Sequence, residues 1–159
     1  MSAVSSPSDG AVSHSIVVDA DPATVFDVLA DPSQHPLFDG SDSVKSRLGG
    51  PPRLYLGAQF SMRMRWGAPY VIKNTVVEYD EDRCIAWRHF ARHVWRYELT
   101  PLPQSQTPRT EVTETFEWRT SPIGFAYPRI GLVQRNDEAI RATLQRLKVL
   151  VESRAVIAS

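Results

Sequence analysis

The sequence contains a single cysteine, Cys84, so no internal disulfide can form, which fits a reducing compartment. No apolar run approaches the roughly 20 residues that a membrane-spanning helix needs. Residues 1–13 have neither the basic start nor the apolar segment of a secretory signal. We therefore expect a cytoplasmic protein that does not insert stably into a membrane.

An excess of charge of one sign is also absent. The 159 residues carry 18 Lys and Arg against 18 Asp and Glu, so the formal net charge is zero. This balance argues against a broadly basic surface that holds nucleic acid or anionic lipid, and no nucleic-acid partner is expected. The length and the 42% of hydrophobic residues fit one globular domain. We predict a disordered tail over residues 1–13 and a single domain over residues 14–155.

Several signatures of catalytic and metal sites are missing as well. His89 and His93 are four residues apart, but they flank a predicted hairpin and have no acidic partner nearby in sequence. No Gly-x-Ser-x-Gly motif of a serine hydrolase is present. The stretch Gly49-Gly50-Pro51-Pro52 lacks the Lys and Ser/Thr of a phosphate-binding loop. We expect neither a metal nor a cofactor.

Alternation of apolar and polar residues begins near residue 43 and predicts an antiparallel meander. Phe60, Met62, Met64 and Trp66 alternate with Ser and Arg in the clearest of these runs. Turn-forming residues separate the runs at hairpin spacing, which favours antiparallel pairing. The predicted strands of the meander are 60–66, 71–79, 84–90, 94–99 and 110–118.

Helices are predicted on both sides of this meander. After a first strand at residues 14–18, Asp21 and Pro22 favour a helix start. A second short helix is predicted to open at Asp31-Pro32 and to be ended by Pro36 near Leu37-Phe38. The final segment is amphipathic. A single helix covers only one face of a sheet, so we predict an α+β fold in which six or seven curved antiparallel strands wrap around it. The apolar stripe of that helix is formed by Ile140, Leu144, Leu147 and Val151.

This order of elements comes with local motifs at matching places. They are Asp21-Pro22-Ala23-Thr24-Val25-Phe26, Asp31-Pro32, the pair Thr75-Val76-Val77-Glu78-Tyr79 and Ile85-Ala86-Trp87, and Thr113-Glu114-Thr115-Phe116. Together with the final helix they resemble the START-like or SRPBCC superfamily, the helix-grip fold shared with polyketide cyclases and the birch-pollen allergen. The resemblance covers nearly the whole chain after residue 13. It implies a cavity for a hydrophobic or aromatic molecule, such as a lipid or a polyketide. Some members bind and carry, and others are aromatases or cyclases.

The inward-facing residues of the meander are the candidates for lining such a cavity. Met is an adaptable apolar lining residue, and Trp offers a flat face with one hydrogen-bond donor. Glu114 does not fit an ordinary core, because an unpaired buried carboxylate is costly. His89 is its first predicted partner and Asn74 its second. The candidate ligand-binding residues are Met62, Met64, Trp66, Asn74, Trp87, His89, Glu114 and Phe116.

The same alternation places four arginines on the outer face of the sheet, namely Arg63, Arg65, Arg88 and Arg96. They could form a basic patch for nucleic acid. Cross-strand pairing with Glu98 and Glu117 is the simpler interpretation, and the neutral net charge favours it.

Two functions remain in view at this point. The favoured one is a binding or carrier module for a small hydrophobic molecule, because few inward residues are polar. The alternative is a polyketide aromatase or cyclase in which His89 or Glu114 moves protons. A third interpretation makes the domain an interaction partner with an unused cavity. A homodimer is compatible with each of them.

Overall fold

The computed structural model describes residues 10–104 and 106–158, which form a seven-stranded antiparallel sheet and three α-helices. The strand order across the sheet is β1-β7-β6-β5-β4-β3-β2. The strands are β1 (Ala11–Val18), β2 (Val44–Gly49), β3 (Gln59–Trp66), β4 (Ala68–Asp80), β5 (Cys84–Arg88), β6 (Val94–Pro101) and β7 (Thr110–Glu117). The helices are α1 (Pro22–Leu29), α2 (His35–Phe38) and α3 (Leu132–Ala158), with a short 3-10 helix at Gly124–Ala126.

Strand β1 begins at Ala11, ahead of the predicted start at His14. Ala11 and Val12 are buried and pair with Glu117 and Phe116 of β7. The last residues of the segment that was predicted as a tail are therefore part of the sheet. Residues 1–9 of that segment lie outside the described residues.

The two proline-marked helices differ from each other. Asp21 caps α1 as expected, accepting a hydrogen bond from the Thr24 amide at 2.7 Å, and Pro22 occupies the first helical position. The prediction for α2 was wrong at its start, whereas its end near Leu37-Phe38 agrees with the structure. Asp31 accepts from the Ser33 amide in a turn, and Pro36 lies in the first turn of α2, where a missing amide proton costs nothing.

Helix α3 lies in the curve of the sheet and confirms the helix-grip prediction. Its stripe of Ile140, Leu144, Leu147 and Val151 is buried. The helix begins at Leu132, just after Gly131, whose φ of 74° lies in the left-handed region that favours glycine. A charged residue in the stripe would stand in the seam between helix and sheet.

The outer face of the sheet carries a cross-strand charge cluster around Arg96. Its guanidinium pairs with Glu78 at 2.6 Å and with Glu117 at 3.0 Å. The predicted pairing with Glu117 is thus observed, while Glu98 has no ion pair among the described residues. Arg63, Arg65 and Arg88 are exposed.

The loops of the meander lie at two opposite ends of the sheet, because antiparallel neighbours reverse direction. The β3–β4 turn, the β5–β6 loop and the segment after β7 share one end with the first turn of α3. The β4–β5 turn, the β6–β7 loop and the segment after β1 lie at the other end.

Candidate functional site: a cavity between the sheet and helix α3

A cavity of about 390 Å³ lies between the concave face of the sheet and the first half of α3. Its size is in the range of small-molecule sites, which run from about 300 to 1,000 Å³. Strands β3 to β7 form one wall, and α2 with the loop after it closes a second side. Helix α3 forms the facing wall with Leu132, Arg135, Asn136, Ala139 and Thr143.

Most of the predicted ligand-binding residues lie around this cavity. Met62, Met64, Trp66, Asn74, Trp87, His89 and Glu114 all line it. Phe116 is placed elsewhere. It is fully buried behind the wall, with its ring centroid 4.7 Å from that of Trp95, and Trp95 takes the lining position.

The alternation predicts that Trp66 lies inside the cavity. In the structure Trp66 is at the mouth of the cavity instead. The side chain is 60% exposed, and the Arg135 guanidinium lies 3.9 Å from the centroid of its ring. Trp66 is the last residue of β3, so it projects past the covered part of the sheet toward the start of α3. The cation–π contact joins the two walls at this point.

Glu114 and Tyr97 form a buried polar pair inside the cavity. The Tyr97 hydroxyl donates to Oε1 of Glu114 at 2.8 Å, whereas Oε2 has no hydrogen-bond partner among the described residues. The predicted pairing of Glu114 with His89 or Asn74 was therefore wrong. Tyr97 stands directly opposite Glu114 in the β6–β7 register, and no sequence pattern fixes that register.

Burial raises the pKa of Glu114 to about 8, and the nearby Asp39 acts in the same direction. The carboxyl is therefore mostly protonated near neutral pH. Because Tyr97 donates to Oε1, the proton belongs on Oε2. The cavity thus contains a hydroxyl donor that has no acceptor.

Two further polar side chains lie near this inner region. Asn74 is buried, and its side chain makes no hydrogen bond to any described residue. The ring of His35 stacks on Trp87 with centroids 4.9 Å apart, and its Nε2 donates to the Leu29 carbonyl at 2.9 Å. Burial lowers the pKa of His35 to about 4, so its ring is neutral.

Two histidines meet nearer the mouth. The His89 and His93 rings contact edge to face with centroids 4.1 Å apart, so the β5–β6 hairpin does bring them together. Nδ1 of His93 is 3.0 Å from the Tyr127 hydroxyl. Burial and the neighbouring His89 lower the pKa of His93 to about 3. Both histidines line the cavity, and His93 is neutral there at physiological pH.

The α3 wall is the part of the site that the sequence analysis missed. Asn136, Ala139 and Thr143 are buried next to the apolar stripe of α3, but two of these three are polar, so the apolar pattern did not reveal them. The opposing loop approaches closely because residue 40 is glycine. A Cβ on Gly40 would lie 2.4 Å from the Ala139 carbonyl oxygen and from the Thr143 amide nitrogen.

The site is therefore an apolar, largely aromatic cavity with a few buried polar groups, enclosed by a curved sheet and a long helix. A family model described as polyketide cyclase / dehydrase and lipid transport matches residues 9–152. The chain belongs to this family. The resemblance to the SRPBCC superfamily is confirmed, and so is the fold class.

Relatives and solved structures extend this picture. An uncharacterized protein of Mycobacterium tuberculosis, Rv0088, is 34% identical over 144 residues. The match covers 87% of this chain and 62% of that protein, so the chain spans about 62% of the length of this curated relative. The crystal structure of NE0264 from Nitrosomonas europaea has a TM-score of 0.67 at 14% identity, covering 92% of this chain and 96% of that one. The Aha1 dimer from Colwellia psychrerythraea has a TM-score of 0.62 at 13% identity, with 89% and 96% covered. Identities this low show the fold alone.

The described residues also lack the features of a metal centre and of a membrane-spanning helix. Within residues 10–104 and 106–158, no group of three or more His, Cys, Asp or Glu side chains could hold a metal ion. In the same part of the chain, no helix is both long enough and apolar enough to cross a membrane.

Proposed function

We propose that the protein binds a small hydrophobic or aromatic molecule in the cavity, with a hydrogen-bond acceptor of that molecule directed at Glu114. The observation that carries this proposal is the unpartnered Oε2 of a buried carboxyl in a largely apolar cavity, where burial raises the pKa of that carboxyl. A buried donor without an acceptor is costly, and a ligand carbonyl would remove that cost.

The aromatic walls favour a flat ligand body. Trp87 and Tyr97 lie with ring centroids 5.6 Å apart, and Phe60 meets Trp87 edge to face at 5.7 Å. Such rings offer stacking and edge contacts to a planar molecule. Met62 and Met64 line the cavity from strand β3, and their unbranched side chains adapt to ligands of different shape.

Binding can be measured with N-phenyl-1-naphthylamine, a neutral probe whose fluorescence rises in apolar surroundings. Trp66, Trp87 and Trp95 line the cavity, so energy transfer from tryptophan reports a probe bound there. We expect saturable binding that Ala139→Phe abolishes by filling the cavity. Val149→Phe is the matched control, because Val149 is exposed on the same helix. Equal binding by both variants would place the probe elsewhere and contradict the proposal.

A pair of ligands tests the role of Glu114. 2-Acetylnaphthalene and 2-ethylnaphthalene have nearly the same shape, but only the first carries a carbonyl. We expect the acetyl compound to displace the probe at a concentration about tenfold lower, as for one hydrogen bond to a buried donor. The advantage should persist in Glu114→Gln, whose amide still donates, and vanish in Glu114→Leu. It should also decline above pH 8 as Glu114 ionises. No preference for the carbonyl below pH 8 would contradict the assignment.

An enzyme of the cyclase type is the second candidate, and the raised pKa of Glu114 favours it. A carboxylic acid that stays protonated near pH 7 inside a largely apolar cavity can act as a general acid. Glu114→Gln separates the two functions, since it keeps a donor but has no proton to transfer. If the protein is a carrier, wild type and variant purified from the host hold the same molecule. If it catalyses cyclisation with loss of water, the variant holds a precursor heavier by one water.

A further inference from the structure

We propose that the end of the molecule around the cavity mouth docks on the surface of an anionic lipid bilayer. We call this end the mouth face and define it as residues 65–71, 88–93 and 118–135. These segments contain the β3–β4 turn, the β5–β6 loop, and the chain from the end of β7 into the first turn of α3. The proposal rests on how the structure distributes charge and exposed apolar side chains, independently of which ligand the cavity takes.

The mouth face is one continuous surface. Thr120 Oγ1 donates to the Arg92 carbonyl at 3.0 Å, and His93 shares a hydrogen bond with Tyr127 at 3.0 Å. These contacts hold the β5–β6 loop against the segment after β7. Arg135 over Trp66 joins the first turn of α3 to the β3–β4 turn.

Large apolar side chains project from all three segments into solvent. Phe90 is 84% exposed, Phe125 70% and Ile130 68%. Several large apolar side chains exposed at one end of a globular protein mark a candidate site of interaction. The same segments also expose Trp66, Tyr70, Val71 and Ile123.

The charges of the mouth face are all of one sign. Its three segments contain six arginines and no aspartate or glutamate, and in the adjoining α2–β2 loop the exposed Asp42 is paired with Arg146 at 2.7 Å. Of the six, only Arg119 makes an ion pair with a described residue, which is Glu117 just outside the face. Unpaired basic side chains beside exposed apolar ones are the combination that binds anionic membrane surfaces.

The opposite end of the sheet carries the compensating charge. Residues 19–31, 50–58, 78–83 and 98–111, which include the β2–β3 loop, contain ten Asp and Glu against three Arg. The zero net charge therefore arises from two ends of opposite sign. The net charge argues against a broadly basic surface, but it does not report a local separation of charge such as this one. The separation also orients the protein, since an anionic bilayer attracts the mouth face and repels the other end.

A second copy of the chain and a nucleic acid both fit this surface less well. Two mouth faces pressed together would oppose six arginines with six arginines. Nucleic acid would pair with the arginines and its bases could stack on exposed Phe rings, but it offers little to the exposed aliphatic side chains of Val71, Ile123 and Ile130. A bilayer accepts both, because its headgroups are anionic and its interface takes up apolar side chains.

Vesicle co-sedimentation tests the proposal. We would compare phosphatidylcholine vesicles with vesicles containing about one third phosphatidylglycerol, at low and high salt. We expect binding to the anionic vesicles only, weakening as salt rises. Phe125→Ser and Arg129→Glu should each weaken binding by about tenfold. Neither residue lines the cavity, so both variants should bind N-phenyl-1-naphthylamine normally.

Matched controls lie at the acidic end. Leu56→Ser removes an apolar side chain that is 62% exposed, and Arg83→Glu reverses an exposed charge. Both should bind vesicles as wild type does. The proposal fails if Arg83→Glu weakens binding as much as Arg129→Glu, or if neutral and anionic vesicles bind equally. It also fails if a single-stranded oligonucleotide binds as tightly as the anionic vesicles, which would indicate a general polyanion site.

Discussion

Three buried side chains give the protein opposing responses to pH. Glu114 has a pKa raised to about 8 by burial, and burial lowers the pKa of His35 to about 4 and that of His93 to about 3. An acid whose pKa is raised by folding holds its proton more tightly in the folded state, so its contribution to stability falls as pH rises toward the folded pKa. A histidine whose pKa is lowered by folding acts in the opposite direction, because acid favours the unfolded state that accepts the proton.

We expect the free energy of unfolding of Glu114→Gln, compared with that of the wild type, to be higher at pH 8 than at pH 5. The neutral amide avoids the ionisation that burial opposes in the window from the ordinary pKa of 4.5 up to about 8. Within that window the free energy of unfolding of the wild type should fall, relative to the variant, by about 1.4 kcal/mol per pH unit. Urea unfolding of both proteins from pH 5 to pH 8 measures this, and the histidine contributions cancel in the comparison. A difference that is independent of pH would mean that Glu114 is ionised in the folded protein.

For individual residues, the sequence predicted which face of the sheet each side chain lies on, but not its contacts. Alternation placed Glu114, Asn74 and the two methionines on the concave side, and the structure agrees. It did not identify Tyr97 as the partner of Glu114, because partners depend on the register between strands. It also failed for Trp66, because alternation continues to the end of a strand whether or not anything covers that end.

At the scale of elements, α3 supports both the core and the cavity. Its later stripe, Ile140 to Val151, packs into the sheet, while its first turns carry smaller or polar residues that leave the cavity open. The 3.6-residue period identified the packed half, since a continuous apolar stripe is typical of a core-facing helix. The half that lines the cavity lacked that stripe. The start of the short helix α2 was predicted too early, because proline is compatible with a helix start and also ends helices, and Pro36 was assigned the second role.

We expect Leu144→Asp to unfold the domain or to lower its free energy of unfolding by at least about 3 kcal/mol, since it buries an unpaired charge in the helix–sheet seam. Leu144 is 2% exposed. Val149→Asp, on the exposed side of the same helix, should change stability by less than about 1 kcal/mol. Urea titration followed by circular dichroism compares the two. Similar, small losses for both would show that α3 does not pack as described.

At the scale of the whole molecule, three features coincide at one end. The cavity opens there, Trp66, Tyr70, Phe90 and Phe125 are exposed there, and five of the six arginines there make no ion pair with a described residue. None of this is visible in the composition, because a net charge of zero is the same for mixed and for segregated charges. The order of elements predicted the helix-grip fold, but the shape of the cavity depends on the three-dimensional packing of α2, α3 and five strands.

Native mass spectrometry of the protein purified from its own host tests the central claim most directly. The account predicts a non-covalent complex with one small molecule that carries an apolar or aromatic body and at least one carbonyl or hydroxyl oxygen. Val149→Phe purified in the same way should retain that molecule, and Ala139→Phe, which fills the cavity, should lack it. An adduct of equal abundance in Ala139→Phe, or wild-type protein that carries no molecule and does not bind N-phenyl-1-naphthylamine, would contradict the account.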